Sequence, residues 1–308
     1  MSELDQFQGC LLGLALGDAM GAPYEGGILE RLLWRLIGST RQGEMRWTDD
    51  TQMSIDVCES YLSQGLIDAN DLARRFAGSY RWSRGYGPAA AKVLKRIRRG
   101  VDWSTANRSV YRNGSYGNGA AMRAAILGVI FTDLVDIVQA ARRTAVITHV
   151  HPLAIEGAIL VATVTRLAAN ASESPQILKQ LLAECSLNEF RSKLEQSLIW
   201  IESRAEVPAR EVARRLGRGI AAQESCVTAV YLALRFRPQP FAEMMKFITR
   251  IGGDADTIGA MAGAIWGAAN GMAQLPPDLL SKVEQNDRLL NLAAALHADC
   301  HGRNRPNH

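Results

Sequence analysis

The chain has 308 residues, 47% hydrophobic, 21% charged and 6% aromatic, with 35 basic against 31 acidic side chains for a net charge of +4. This is an ordinary soluble composition, large enough to bury a substantial core, and its modest charge comes with no nucleic-acid motif. Five scattered cysteines, odd in number and without paired metal spacing, point to reduced thiols in a cytoplasmic protein; the acidic start MSELDQ argues against a signal peptide. The uncharged stretch 257–274 is rich in Gly and Ala and reads as a core helix, so no membrane partner is expected.

Ala, Leu and Gly recur at helical spacing and no series of alternating strands is visible, which predicts an all-α protein. The first helix, 4–20, carries Gly9, Gly13, Gly17 and Gly21 as a smooth stripe. Each glycine costs about 1 kcal/mol of helix propensity relative to Ala, so the compensating benefit is a closely packed neighbour. A matching row, Gly259, Gly263, Gly267 and Gly271, makes the helix predicted over 258–273 the expected partner. That pairing would bring Asp18 and the loop residue Glu25 near the start of the later helix.

Trp47-Thr48-Asp49-Asp50-Thr51 precedes a helix with Met53, Val57, Cys58, Tyr61 and Leu62 on one side. Helices are then expected over 71–84, after the break Arg84–Pro88 to near Gly100, over 120–131, 134–147 and 153–169, with further amphipathic helices over 174–250. The tail after Cys300 is expected to fray. No linker long enough to divide the chain is found, so 1–308 is read as one domain.

Two stretches stand apart chemically. Gly252-Gly253-Asp254-Ala255-Asp256-Thr257 supplies two carboxylates and a hydroxyl where a loop enters a helix, and Thr48-Asp49-Asp50 repeats the arrangement near the other end of the chain. A helix cap explains one such residue, not three. Together they offer four carboxylates and two hydroxyls, hard oxygen donors whose mutual repulsion implies one or two divalent cations. The loop from Asn113 to Gly119, with Ser115 among glycines before a helix, suits an anion. His149 and His151 lack the Cys or second His pair of a zinc site. Asp49-Asp50 has no second carboxylate one turn on, which excludes a prenyl-diphosphate site.

GLALGDAMGAPYEG (13–26), TDDTQM (48–53), GNGAAMR (117–123), THVHPLAIEGAI (148–159) and GGDADTIGAMAGAIWG (252–267) together resemble the ADP-ribosylglycohydrolase family over nearly the whole chain. The resemblance implies an all-α orthogonal bundle and a centre of two divalent cations, Mg2+ or Mn2+. Their ligands would be Thr48, Asp49, Asp50, Asp254, Asp256 and Thr257, with Glu25 or Asp49 catalytic. It places ADP-ribose along Gly85, Gly87, Ser115, Tyr116, Gly117, Asn118, Gly119 and His149, and assigns His151 no role. The partners implied are an ADP-ribosylated protein as substrate and ADP-ribose as product.

The compact chain looks like bacterial members, for which removal from arginine, reversing endogenous or toxin-borne modification, is the first expectation. Against it, no acidic residue accompanies Arg84-Gly85-Tyr86-Gly87, and these strings look more like the subgroup acting on ADP-ribosylserine and O-acetyl-ADP-ribose. A binder of ADP-ribosylated protein or of a toxin, without turnover, is the alternative of another class.

Overall fold

A helix without side chains along one stripe lets a second helix approach until backbones touch, and this contact sets the architecture. The computed structural model describes residues 1–303, in which the expected all-α class is realised. Helices run α1 Glu3–Gly21, α2 Ile28–Ile37, α3 Asp49–Gln64, α4 Ala69–Ser79, α5 Pro88–Arg98, α6 Trp103–Ala106, α7 Leu127–Ile130, α8 Leu134–Ala145 and α9 Pro152–Ala169. They continue as α10 Ser174–Glu184, α11 Asn188–Glu202, α12 Ala209–Arg215, α13 Ala222–Arg235, α14 Phe241–Ile251, α15 Ala255–Asn270, α16 Pro277–Leu280 and α17 Asn286–Arg303. Extended pairing among the described residues is confined to isolated bridges such as Met45 with Val283. One cluster of buried apolar side chains extends from Phe7 to Cys300.

α1 and α15 form the centre, glycine stripe on glycine stripe. A Cβ placed on Gly13 would lie 3.0 Å from the Gly263 carbonyl carbon, and one on Gly21 would lie 2.5 Å from Asp256 Cα. The obstacles are backbone and cannot rotate away. α9, α13 and α14 pack against α15, while α3 and α17 pack against α1. α9 is long and apolar enough to cross a membrane by length and composition, and 72% of it is buried inside the fold.

The segment entering α3 is held from a distant part of the chain. Met45 N–H donates to Lys282 O at 2.6 Å, Glu284 N–H donates to Met45 O at 3.0 Å, and Trp47 Nε1–H donates to Glu284 O at 2.9 Å. Arg84 forks onto the Glu284 carboxylate at 2.6 and 2.8 Å, donates to Trp47 O at 2.7 Å, and lies 3.6 Å above the Trp47 ring. Bidentate pairing and stacking are the two geometries arginine satisfies at once. The turn that presents Thr48, Asp49 and Asp50 is thereby fixed.

Several expected boundaries differ. The helix expected over 71–84 is α4 followed by a short turn at Trp82–Arg84, because Asp68 caps it earlier, accepting from Asp71 N–H at 2.6 Å. The helix expected over 120–131 is mostly a tighter run of i to i−3 bonds, with only α7 regular. At its start the Arg123 guanidinium donates to Gly119 O, the acceptor that an α-helical Arg123 N–H would use. α2 has no counterpart in the sequence reading. α17 continues through 301–303, past the expected fraying point at Cys300; the remainder of that tail lies outside the described residues.

Candidate metal centre

Both acidic segments sit at helix starts, and capping explains little of them. Thr48 is the N-cap of α3, its hydroxyl accepting from Asp50 N–H at 3.4 Å. Asp254 occupies the same place on α15, yet its carboxylate caps nothing. Gly252 and Gly253 turn the chain into α15 with φ of +66° and +77°, a conformation glycine adopts without strain. Asp254 N–H donates to Arg218 O at 2.9 Å, which holds the backbone at the entry to α15.

One carboxylate oxygen each from Glu25, Asp254 and Asp256 lie within 4.8 Å of one another. Asp50 Oδ2 accepts from Thr48 Oγ1 at 2.9 Å and from Thr257 Oγ1 at 3.5 Å, joining the start of α3 to the start of α15. Asp50 Oδ1 is buried with no hydrogen-bond partner. An orphaned buried carboxylate oxygen amid other carboxylates is what a hard cation's coordination shell requires. Burial, reinforced by the neighbouring carboxylates, pushes Asp49, Asp50 and Asp256 well above the usual carboxylate range, and burial with Glu25 close by pushes Asp254 up to about 7. The residues present therefore fit divalent cations, which would neutralise the set.

Asp18 stands behind this group. Fully buried, its carboxylate accepts from Thr48 N–H at 2.9 Å, Thr51 N–H at 3.1 Å and Thr51 Oγ1 at 2.6 Å. Burial pushes it up to about 6 while these bonds pull it down. Asparagine has one acceptor oxygen for these donors, so Asp18→Asn is expected to weaken Mg2+ binding by about 10- to 100-fold, the usual consequence of losing a support behind a ligand. A magnesium titration checks this; unchanged affinity would remove Asp18 from the account.

The carboxylates form one end of a cavity of about 250 Å³, together with Thr257. Gly85, Gly87, Ser115, Gly117, Gly119 and His149, where the resemblance implies ADP-ribose, line its wall. Gly85, at φ +87°, leaves open the space beside Asp49: an added Cβ would sit 3.6 Å from Asp49 Oδ1. Thr48 lies behind the lining, buried, with its hydroxyl on Asp50. Tyr116, expected to contact ligand, is outside the lining and 55% exposed, its ring edge-on to His151 at 5.8 Å. His151 itself caps α9, accepting from Leu153 N–H at 3.2 Å. Asn118 lines the cavity, but its amide donates to Ser225 Oγ at 2.8 Å and to Asp254 Oδ2, so it holds Asp254 in place.

The proton on His149 follows from its neighbours. Arg123 Nη2 donates to Thr148 Oγ1 at 2.9 Å, and Thr148 Oγ1 is 2.7 Å from His149 Nδ1. Guanidinium can only donate, and Nδ1 is the one acceptor within reach of the threonine hydroxyl among the described residues, so the hydroxyl hydrogen is assigned to Nδ1 and the imidazole's own to Nε2. Burial, with Arg123 nearby, pushes His149 down to about 3, so it is neutral. It therefore offers one fixed N–H donor beside the glycine loop: a Cβ on Gly117 would lie 3.6 Å from Nε2, and one on Gly119 would strike the ring at 2.8 Å. Arg123 and Thr148 belong to the quoted motifs but drew no role from the sequence. Tyr111, 54% exposed at the cavity mouth, was missed because it lies outside every motif.

A family model for ADP-ribosylglycohydrolase matches residues 1–306. Human ADP-ribosylhydrolase ARH3 is 35% identical, with 96% of this chain and 93% of the relative covered. The ADP-ribosylarginine hydrolase Tri1 of Pseudomonas putida (strain GB-1) is 26% identical, covering 95% of this chain and 78% of that protein. A solved structure described as an ADP-ribosylglycohydrolase-related protein complex matches at TM-score 0.72 and 27% identity, over 97% of this chain and 99% of the other.

Proposed function

This chain belongs to the ADP-ribosylglycohydrolase family and is a hydrolase, and from that premise we propose that it releases ADP-ribose from an oxygen-linked acceptor, serine or an O-acetyl group, at a centre of two Mg2+ or Mn2+ ions. The observation that carries the metal reading is the unpartnered, buried Oδ1 of Asp50 beside the converging oxygens of Glu25, Asp254 and Asp256. Bound among Thr48, Asp49, Asp50, Asp254, Asp256 and Thr257, the ions would supply positive charge that neutralises these carboxylates and polarises ribose-hydroxyl and water oxygens.

The chain's own residues account for the rest. His149 Nε2–H and the backbone of the 115–119 loop face the place for the diphosphate, and the exposed ring of Tyr111 offers a face for the purine at the mouth. Glu25 or Asp49 takes a proton from the attacking water as its oxygen joins the anomeric carbon. The bond from that carbon to the acceptor oxygen breaks, and the proton that the carboxylate took passes to the departing oxygen, which leaves as the serine hydroxyl or as acetic acid. Asn118 and Asp18 keep Asp254 and the Thr48 turn in register throughout.

The acceptor reading rests on charge at the mouth. Beyond the carboxylate group the mouth presents Gly85, Gly87, Pro88, Ala89, Tyr111 and Ile220, none acidic. Lys92, Lys95, Arg96 and Arg99 line an adjoining recess that shares Pro88 with the cavity. A guanidinium acceptor extending from the centre past this mouth would meet the positive charge of that recess. The higher identity to ARH3 than to the arginine hydrolase supports the same choice over the arginine acceptor first expected from sequence. Five buried cysteines, none bridged, support a cytoplasmic setting.

Release of free ADP-ribose from matched peptides modified on serine or on arginine tests the acceptor. The serine peptide is expected to be favoured by at least about 100-fold in kcat/KM; faster release from the arginine peptide would reverse the assignment.

A further inference from the structure

At the opposite end of α1 from Asp18, about 22 Å away at about 1.5 Å per residue, Glu3 meets α17. His297 and His301 stand one turn apart on α17, so their imidazoles share a face. That face is turned to α1: Phe7 lies edge-on to His297 at 5.6 Å between ring centroids, and the two imidazoles are 4.1 Å apart. One Glu3 carboxylate oxygen and one nitrogen from each histidine lie within 4.8 Å of one another.

The orientation of the second imidazole is set. His301 Nδ1 is 2.8 Å from His297 O, and a carbonyl only accepts, so Nδ1 carries the hydrogen. Nε2 is then the nitrogen presented to Glu3 Oε2, with which it pairs when protonated. Histidines that bind metals are typically oriented in this way, the far N–H anchored on a carbonyl. An ion pair between His301 and Glu3 leaves His297 unexplained: stacked imidazoles do not both protonate readily, and His297 is lowered by burial and by the His301 charge. Arg166 on α9 reaches Glu3 with its field, but no ion pair joins them among the described residues.

We propose that Glu3, His297 and His301 bind one divalent transition ion of the zinc, nickel and copper class, clipping α17 to the start of α1. Two imidazoles and one carboxylate suit such borderline ions, whereas magnesium favours all-oxygen shells. The site is thus chemically distinct from the carboxylate centre and independent of the functional reading given above. Ligand distances of about 2.0–2.2 Å require the directly paired His301 Nε2 and Glu3 Oε2 to part and admit the ion while His297 turns toward it, which their partly exposed positions allow. Water completes the shell, and the proton between His301 and Glu3 passes to solvent on binding. The cysteines are buried and do not compete.

The test is calorimetric titration with Zn2+, in excess Mg2+, of the wild type and of Asp256→Ala, His297→Ala and His301→Ala. Wild type and Asp256→Ala are expected to share one binding event, weakened at least about tenfold by either histidine substitution. Zinc should raise the melting temperature only where both histidines are present, and turnover of His301→Ala in Mg2+ should equal that of wild type. Absence of a zinc equivalent that survives Asp256→Ala, or zinc affinity in the histidine variants equal to that of wild type, overturns the proposal.

Discussion

Asp256→Ala lowers turnover by at least about 1,000-fold, roughly 4 kcal/mol of lost transition-state stabilisation, without lowering the stability of the metal-free protein. Asp256 is 4% exposed and lies beside Glu25, Asp254 and Asp50, all of which raise its proton affinity further beyond the effect of burial. Truncating a buried side chain ordinarily destabilises. Here the side chain is one of several carboxylates crowded together, so removing it relieves repulsion and desolvation in the absence of a cation. The paired expectation is that Mg2+ raises the melting temperature of wild type and no longer does so in Asp256→Ala. Thermal melts with and without Mg2+, alongside ADP-ribose release, separate the two roles. Residual activity within tenfold of wild type, or a destabilised variant that still responds to Mg2+, would show a structural aspartate instead.

Gly17→Ala destabilises the fold by about 2 kcal/mol or more, although alanine is the better helix former. The propensity gain is about 1 kcal/mol. Against it, a Cβ at position 17 would sit on the Gly259 carbonyl, 2.6 Å from its carbon and 3.2 Å from Ala260 N. Those atoms belong to the backbone of α15, so relief requires moving the helices apart, and overpacking of this kind costs typically about 1–3 kcal/mol and sometimes more. Separation at this level also shifts Asp18 relative to Asp254 and Asp256, so activity falls with stability. Gly78 in α4 is the control, because nothing lies within 4 Å of its added Cβ. Gly78→Ala is expected to stabilise by up to about 1 kcal/mol. Urea denaturation of both variants measures the pair, and effects of the same sign would contradict the close-packing account.

The glycine stripe and the two acidic segments were legible in the sequence because each is local and periodic: four glycines at equal spacing, and carboxylates beside a threonine at a helix start. The pairing of α1 with α15 followed from the first; the second suggested only that the two segments supply one cation site, and in the fold Asp50 Oδ2 meets Thr257 Oγ1. The resemblance to a family implied ADP-ribose at Gly85, Gly87, the 115–119 loop and His149, and these residues apart from Tyr116 line one cavity. What escaped depends on contacts distant in sequence. Asn118 reads as a loop residue facing ligand, and only the fold shows its amide on Ser225 and Asp254. Arg123 reads as helical, yet its side chain takes the Gly119 carbonyl and orders Thr148 and His149. Trp47 and Arg84 are joined through Glu284, 200 positions beyond Arg84, which no local pattern announces.

The most direct test of the central claim is ADP-ribose release from an ADP-ribosylserine peptide by chelator-stripped protein, before and after Mg2+ or Mn2+ is restored, with bound metal counted by calorimetry. The account predicts no release from the stripped protein, full recovery on restoring either ion, and two ions per chain at the carboxylate centre. Release that is indifferent to the chelator, or a protein that binds no ion at this centre, would contradict it.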